Sequence, residues 1–403
     1  MKYLILIGDG MGDRPIESLG GLTPLAYAKT PNVDFLAQDG QLGLVQTVPQ
    51  GLSPGSDVAI MSLMGYDPKG VLTGRGPLEA LALNVPLSQN DLAFRLNLVT
   101  MEFGEKNIIR NHASGDIPSD EAKGILDTLK EKLPLKIGQA IHQGFSYRNV
   151  FVWPNAPDGL ADVPPHDNLD KPIDHFLNDP AYRPIAELVR ASWEILADHP
   201  TNRDRLKRSL PPANSIWLWG QGKAPNVKSY LERWGLKGAT VSAVDIIKGL
   251  GLATGLAPLK VPGSTGTLNT DYEGKVKTAL EALTANDLVL VHLEAPDECS
   301  HQGNLQDKIK AIENFDALIV GPIIGGLKKA GYDYRLIVAC DHYTPLELRT
   351  HSSDPVPFIL YDPLARPMET PPPGYSELAA KNTGLFVPDG PALGRLLFGP
   401  EKE

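Results

Sequence analysis

Apolar runs near the two ends of the chain stop at the same kind of residue. Tyr3–Ile7 runs into Gly8-Asp9-Gly10, Leu288–His292 is followed by the polar stretch Glu294 to Asp297, and Leu336–Cys340 ends on Asp341-His342. A continuous apolar run broken by Gly or Asp predicts a strand buried on both faces, the pattern of a parallel sheet covered by helices. Phe358–Tyr361 is read as a fourth such strand. In open α/β sheets, ligands collect just beyond the carboxyl ends of the strands. Three of these ends carry chemically versatile side chains, so one site built from both ends of the chain is expected.

The length supports a large core split into two domains. With 403 residues, 42% of them hydrophobic, a fully disordered chain is excluded. The formal charge of −10 speaks against a dedicated nucleic-acid or anionic-membrane binder, which needs a cationic surface. The N-terminal run is too short for a secretory segment. Ala317–Leu327 is interrupted by Gly321 and Pro322 and falls short of the ~18 residues of a membrane span. Cys299 and Cys340 are too few for a disulfide framework, which points to a reducing cytoplasm.

Between the terminal segments the texture changes. Residues 71–262 contain Pro-rich loops, helix candidates at Ser119–Lys132 and Ile185–Leu196, and strand candidates at Ala93–Val99 and Asn149–Trp153. This stretch is read as a smaller α/β domain inserted into a core made of residues 1–70 and 263–403. Val261–Gly266, rich in Gly and Pro, is read as the returning linker.

Four of the nine histidines, His292, His301, His342 and His351, fall in one short window. Asp297 and His301 are four apart, which on a helix puts both on one face. Asp341-His342 follows a strand, and His351 comes shortly after. Imidazole nitrogen with carboxylate oxygen suits Zn²⁺ or Mn²⁺. An isolated Asp-His pair is ordinarily solvated, but three such elements at strand ends, joined by Asp9, predict a metal site. Ser56 follows Pro54-Gly55 at the start of a helix candidate. It is either a plain N-cap or a hydroxyl placed where helix N–H groups stabilise an anion.

Taken together, Gly8-Asp9-Gly10-Met11-Gly12-Asp13, Gly55-Ser56-Asp57 with Gly65-Tyr66-Asp67-Pro68, Ala295-Pro296-Asp297 to His301, and Asp341-His342 with His351 to Pro357 resemble the archaeal-type cofactor-independent phosphoglycerate mutases of the alkaline phosphatase superfamily. The resemblance implies an alkaline-phosphatase-like α/β core with a mainly parallel sheet. It implies two divalent metals, one on Asp297, His301 and His351, the other on Asp9, Ser56, Asp341 and His342. Manganese is the most common metal in the family, with magnesium, cobalt or zinc as alternatives. Ser56 would be the nucleophile that becomes phosphoserine, and the inserted domain would hold the glycerate and close over the site. The partner is a small phosphorylated substrate. Arg75, Arg95, Arg148 and Arg203 are candidates to bind it, because guanidinium forks pair bidentately with phosphate and carboxylate. Lys275 is a candidate for the phosphate. Arg205 and Arg208 read as solvated surface residues, and His166-Asp167 as a proton carrier or an ordinary turn.

One segment departs from the family. Where many members carry Arg-Gly-Ala-Gly, this chain has Trp217-Leu218-Trp219-Gly220-Gln221-Gly222. That leaves open a homoserine kinase-type phosphotransferase, proposed for a bacterial branch, beside the mutase reading, unless the two tryptophans simply pack. A phosphatase, phosphodiesterase or sulfatase is less consistent with an insert that caps the site. A catalytically dead binding protein is at odds with the intact ligand set.

Overall fold

The computed structural model describes residues 1–365 and 370–402. Among these the strands, in chain order, are β1 (Lys2–Gly8), β2 (Gln41–Val45), β3 (Asp91–Glu102), β4 (Ile108–Asn111), β5 (Ala140–Phe145), β6 (Arg148–Pro154), β7 (Ser215–Gly222), β8 (Gly238–Val241), β9 (Ala257–Leu259), β10 (Leu288–Leu293), β11 (Tyr334–Cys340), β12 (Val356–Tyr361) and β13 (Phe386–Val387). The chain forms two compact units, Met1–Val71 with Asn226–Glu403, and Leu72–Pro225. The outward crossing lies at Val71/Leu72. The return comes earlier, at Pro225/Asn226 instead of Pro262, because β8 pairs in parallel with β10 and β9 with β8, which commits residues 226–262 to the larger unit. Val261–Gly266 is therefore a loop within that unit.

The larger unit is built on an eight-stranded sheet ordered β13-β2-β12-β11-β1-β10-β8-β9. β1 runs parallel to both β10 and β11, with Gly8 level with Leu293 and Cys340. Leu4–Ile7, Leu288–Val291 and Leu336–Cys340 are fully or almost fully buried, as two helix-covered faces require. β12 corrects one expectation. It is buried like the others but antiparallel to both β11 and β2. Burial on two faces sets composition, not direction. The sheet is mainly parallel, and the fold class is α/β. No helix is long and apolar enough to cross a membrane among the described residues.

Ala317–Leu327 is not one uniform helix. Leu305–Asn314 continues through a π-helical turn, Phe315–Val320, into Gly321–Ala330. Pro322 lacks the N–H of a regular α-helical bond, and a wider turn just before it accommodates that loss.

In the smaller unit, β4-β3-β6-β5 form an antiparallel sheet to which β7 adds by pairing with β3. Helix Ser119–Lys132 matches its predicted span, with Asp120 and Glu121 in the first turn and Lys130 and Lys132 in the last, each favourable to the helix dipole. Its apolar face (Ala122, Ile125, Leu126, Leu129) joins a core that includes Trp217 and Trp219. Arg205 is not a surface residue. It is 1% exposed, bonded to Glu121 at 2.5 Å and to the carbonyls of Ser114 (2.6 Å) and Pro211 (2.9 Å), whereas Arg208 is exposed and shares Glu121.

Candidate active site

The carboxyl ends of β1, β10 and β11 lie side by side, so the loops that follow them meet. The tight turn after β1 depends on Gly10. Its φ is +61°, and a Cβ there would come within 2.6 Å of Asp297 Oδ1. Gly10 N–H donates to Asp341 Oδ1 at 2.9 Å, tying the β1 loop to the β11 loop. Pro296 lies in the first turn of helix Ala295–His301, which carries Asp297 and His301 on one face, as the four-residue spacing predicts.

Asp297, His301 and His351 form one cluster. His301 Nε2 lies 3.2 Å from Asp297 Oδ2 and 3.0 Å from His351 Nε2, and His351 Nε2 lies 3.5 Å from Asp297 Oδ1. Both rings turn Nδ1 toward a carbonyl, of Arg349 at 2.9 Å and of Pro54 at 3.3 Å. A carbonyl only accepts, so Nδ1 carries a proton in each ring and Nε2 is the atom left to face the carboxylate, as an N–H when the ring is charged and as a lone pair when it is neutral. Such a convergence of acceptors demands positive charge. Its pull shows in His301, raised to about 9 chiefly by the hydrogen bond to Asp297. Burial pushes the Asp297 carboxyl up, but His301 and His351 hold it well below the usual carboxylate range.

A second convergence surrounds His342 Nε2. Ser56 Oγ lies 3.2 Å away, Asp341 Oδ2 3.3 Å and Asp9 Oδ1 3.4 Å. Thr344 sets the His342 tautomer. Its hydroxyl donates to Asp297 Oδ1 at 2.5 Å, so it accepts from His342 Nδ1 at 3.2 Å and leaves Nε2 bare. Asp9 Oδ1 and Asp341 Oδ2 are buried atoms without a hydrogen-bond partner. Burial, then the charges of Asp341 and Asp297, raise the Asp9 carboxyl well above its ordinary range. Donors held about 2.1 Å from one cation in a tetrahedron lie roughly 3.4 Å apart, close to the separations in both clusters. Asp297 belongs to two candidate cation-binding groups, with His301 and His351 and with Asp9 and His342.

Ser56 is the first residue of helix Ser56–Leu63. Gly55 occupies the N-cap position, and no side chain caps the helix. The Ser56 hydroxyl is therefore not the cap that a sequence reading allowed. It faces two acceptors, His342 Nε2 and Asp9 Oδ2, the latter at 3.5 Å.

Lys275 is buried on helix Tyr272–Ala282, with Nζ donating to the His292 carbonyl at 3.3 Å. Burial pushes its ammonium down to about 8, with Glu294 and Asp271 pulling the other way. In the smaller unit, Arg95 pairs with Glu79 at 2.8 Å and lies over the Trp219 ring at 4.5 Å. Burial lowers the Arg95 guanidinium, Glu79 opposes that, and the charges of Arg75 and Arg148 lower it further, so these three arginines form a neighbourhood. Arg203 is instead exposed on helix Pro200–Lys207 and paired with Asp198 at 2.8 Å. Trp217 donates to the Val163 carbonyl and stacks on Tyr182, while Trp219 donates to Asn97, so both tryptophans pack. His166 sits 5.0 Å from the Trp219 ring and 3.8 Å from Asp167. Sequence reasoning missed Thr344 entirely and counted His292 without giving it a role.

The fold and this side-chain set define an α/β protein with adjoining candidate cation sites around one serine hydroxyl. Comparison with known proteins agrees with that class. The family model described as 2,3-bisphosphoglycerate-independent phosphoglycerate mutase matches residues 37–202. A 2,3-bisphosphoglycerate-independent phosphoglycerate mutase of Methanothrix thermoacetophila is 48% identical over 361 residues, 89% of this chain and 90% of the relative. A probable enzyme of the same name from Geobacter sulfurreducens is 45% identical over 392 residues, 97% and 98% of the two chains. Among solved structures, a cofactor-independent phosphoglycerate mutase of Thermoplasma acidophilum superposes with a TM-score of 0.64 at 29% identity, covering 98% of this chain and 99% of that one. A Pyrococcus horikoshii protein reaches 0.80 at 31% identity, covering 98% and 96%. The chain belongs to the 2,3-bisphosphoglycerate-independent phosphoglycerate mutase family, a metal-dependent family of isomerases.

Proposed function

We propose that this chain interconverts 3-phosphoglycerate and 2-phosphoglycerate through a phosphoserine on Ser56, without 2,3-bisphosphoglycerate. The observation that carries the reading is the Ser56 hydroxyl, free of any capping role and aimed at His342 Nε2 and Asp9 Oδ2. Asp297, His301 and His351 would hold one divalent cation, and Asp9, Ser56, Asp341 and His342 a second, with Mn²⁺ the proposed metal. Cations bound there would supply Lewis-acid stabilisation of the Ser56 oxygen and the phosphoryl oxygens. Ser56 Oγ gives up its proton and forms the new bond to phosphorus as the bond to the substrate's 3-oxygen breaks, and that oxygen takes up one proton in exchange and leaves as the glycerate hydroxyl. The glycerate's 2-oxygen then attacks the phosphoserine, gives up its proton and returns Ser56 to its starting state. With His342 Nε2 serving as a ligand, Asp9 Oδ2 at 3.5 Å is the acceptor left for the serine proton. Arg75, Arg95 and Arg148 are proposed to bind the carboxylate and hydroxyls of the glycerate. The packed tryptophans account for the departure that raised a homoserine acceptor, and two buried free cysteines accord with a cytoplasmic setting. Purified protein with Mn²⁺ and 3-phosphoglycerate should yield 2-phosphoglycerate with no added bisphosphoglycerate and little free phosphate. No product with Mn²⁺, Mg²⁺, Co²⁺ or Zn²⁺, or phosphate release far exceeding isomerisation, would sink the reading.

Lys275 gives the reaction a distinctive alkaline limb. The substrate phosphate has lost its second proton well below pH 8, its pKa being about 6. Above pH about 8 the Lys275 ammonium becomes a neutral amine. KM for 3-phosphoglycerate should therefore rise through that region, and Lys275→Arg, which stays charged, should flatten the rise. Stability changes the opposite way. Between about 8 and the ordinary 10.5 the unfolded chain binds more protons than the folded one, so this lysine makes the fold more stable as pH rises. A KM profile flat from pH 7 to 9.5 in the native enzyme would rule the phosphate role out.

A further inference from the structure

His292 is the penultimate residue of β10, is 1% exposed, and has no place in either candidate cation group. Its two ring nitrogens are nevertheless both engaged. Nε2 lies 2.9 Å from Asp9 Oδ2, and Nδ1 lies 3.1 Å from the hydroxyl of Ser242, just past the end of β8. The direction of these bonds follows from their neighbours. Ser242 Oγ accepts from Val244 N–H at 3.1 Å, which leaves its own proton free to donate to Nδ1. With Nδ1 accepting, the ring proton sits on Nε2 and points at Asp9 Oδ2. The opposite tautomer would face a bare nitrogen lone pair against a carboxylate oxygen.

The consequence for Asp9 is a carboxylate with divided duties. Oδ2 is held by His292, while Oδ1 is buried without a hydrogen-bond partner and lies 3.4 Å from His342 Nε2. We propose that His292 is a positioning residue that, oriented by Ser242, locks Asp9 so that Oδ1 is presented to a divalent cation. This rests on the reading of Asp9 as a metal ligand made above. An imidazole that donates to a ligand carboxylate orients it, and loss of such outer partners typically weakens metal affinity about 10–100-fold.

The test is Mn²⁺ binding to the full-length protein, followed by calorimetric titration and by the paramagnetic resonance of the bound ion, with circular dichroism to establish that each variant is folded. His292→Leu should weaken one of the two Mn²⁺ ions by about 10–100-fold and leave the other unchanged. His292→Gln, whose amide can still donate to Oδ2, should recover a substantial part of that loss, and Ser242→Ala should show a smaller weakening of the same ion. A buried histidine that merely fills space would not give this selective, donor-dependent pattern. Folded His292→Leu with two ions at native affinity would overturn the proposal, as would His292→Gln performing no better than His292→Leu. Should His292→Leu not fold, unaltered binding by Ser242→Ala overturns it instead. Asp9→Asn separates the two levels of inference. If it loses one ion while the His292 variants lose none, only the positioning role fails; if it too keeps both, the assignment of Asp9 as a ligand fails with it.

Discussion

Ser56→Ala is expected to lower mutase turnover by on the order of 10⁴-fold or more, the scale seen when a covalent nucleophile is removed from an otherwise intact site. It should also abolish the phosphoprotein formed on incubation with 3-phosphoglycerate. The fold should survive, for a local reason. Ser56 is the first helical residue, its hydroxyl caps nothing, and alanine has the highest helix propensity. The cluster of Asp297, His301 and His351 does not include Ser56, so Mn²⁺ binding there should persist. Had the hydroxyl been an N-cap, the same change would cost about 1 kcal/mol of stability and leave chemistry alone. The two readings thus predict opposite outcomes in opposite assays. Radiolabel transfer from substrate to protein together with a thermal melt distinguishes them, and turnover retained by the variant would refute the nucleophile assignment.

How far the sequence leads toward this site depends on the kind of information each residue carries. The strands ending at Gly8, Leu293 and Cys340 were legible because burial on both faces writes itself as an unbroken apolar run, and the placement of ligands beyond the carboxyl ends of strands then pointed to Asp9, Asp297 and Asp341. Helix Ser119–Lys132 was legible from its periodicity and its charged ends. The direction of β12 was not, since an antiparallel strand buried on both faces has the same composition as a parallel one. Nor was the return of the chain at Pro225/Asn226. Gly and Pro mark turns, and a turn inside a domain looks like a linker until strand pairing is known. Arg205 sits in a helix whose sequence is almost wholly polar, and only the approach of the Ser114 and Pro211 carbonyls explains its burial. Thr344 and Ser242 are the same case within the site. A hydroxyl that fixes a histidine tautomer leaves no pattern in one dimension, because its meaning lies in the donor it satisfies across the loop.

Lys308 illustrates this most strongly, and its replacement should have the largest effect on the fold. The side chain is 0% exposed and its ammonium reaches Asp13 Oδ2 at 2.7 Å, the Thr344 carbonyl at 3.0 Å and the Gly12 carbonyl at 3.3 Å. It thereby fastens the loop after β1, which carries Asp9, to the loop after β11, which carries Asp341 and His342. The Asp13 side chain is itself 2% exposed, so Lys308→Met would strand a buried carboxylate and two buried carbonyls. Removing one partner of such a pair costs about 3–5 kcal/mol. Because the chain has two compact units, a single global melt would blur the effect, and four of the five tryptophans (Trp153, Trp193, Trp217 and Trp219) report on the smaller one. Hydrogen exchange resolved by peptide is the better measurement. Protection should fall in β1, β10 and β11 of Lys308→Met and remain unchanged in β3 and β6. Adding Asp13→Asn should restore part of the loss, since much of the penalty is the unpaired buried charge and not the missing attraction. Native protection in the β1 and β11 peptides of the single variant would mean that the two loops are held by their other contacts, and that this buried ammonium is dispensable to the site it spans.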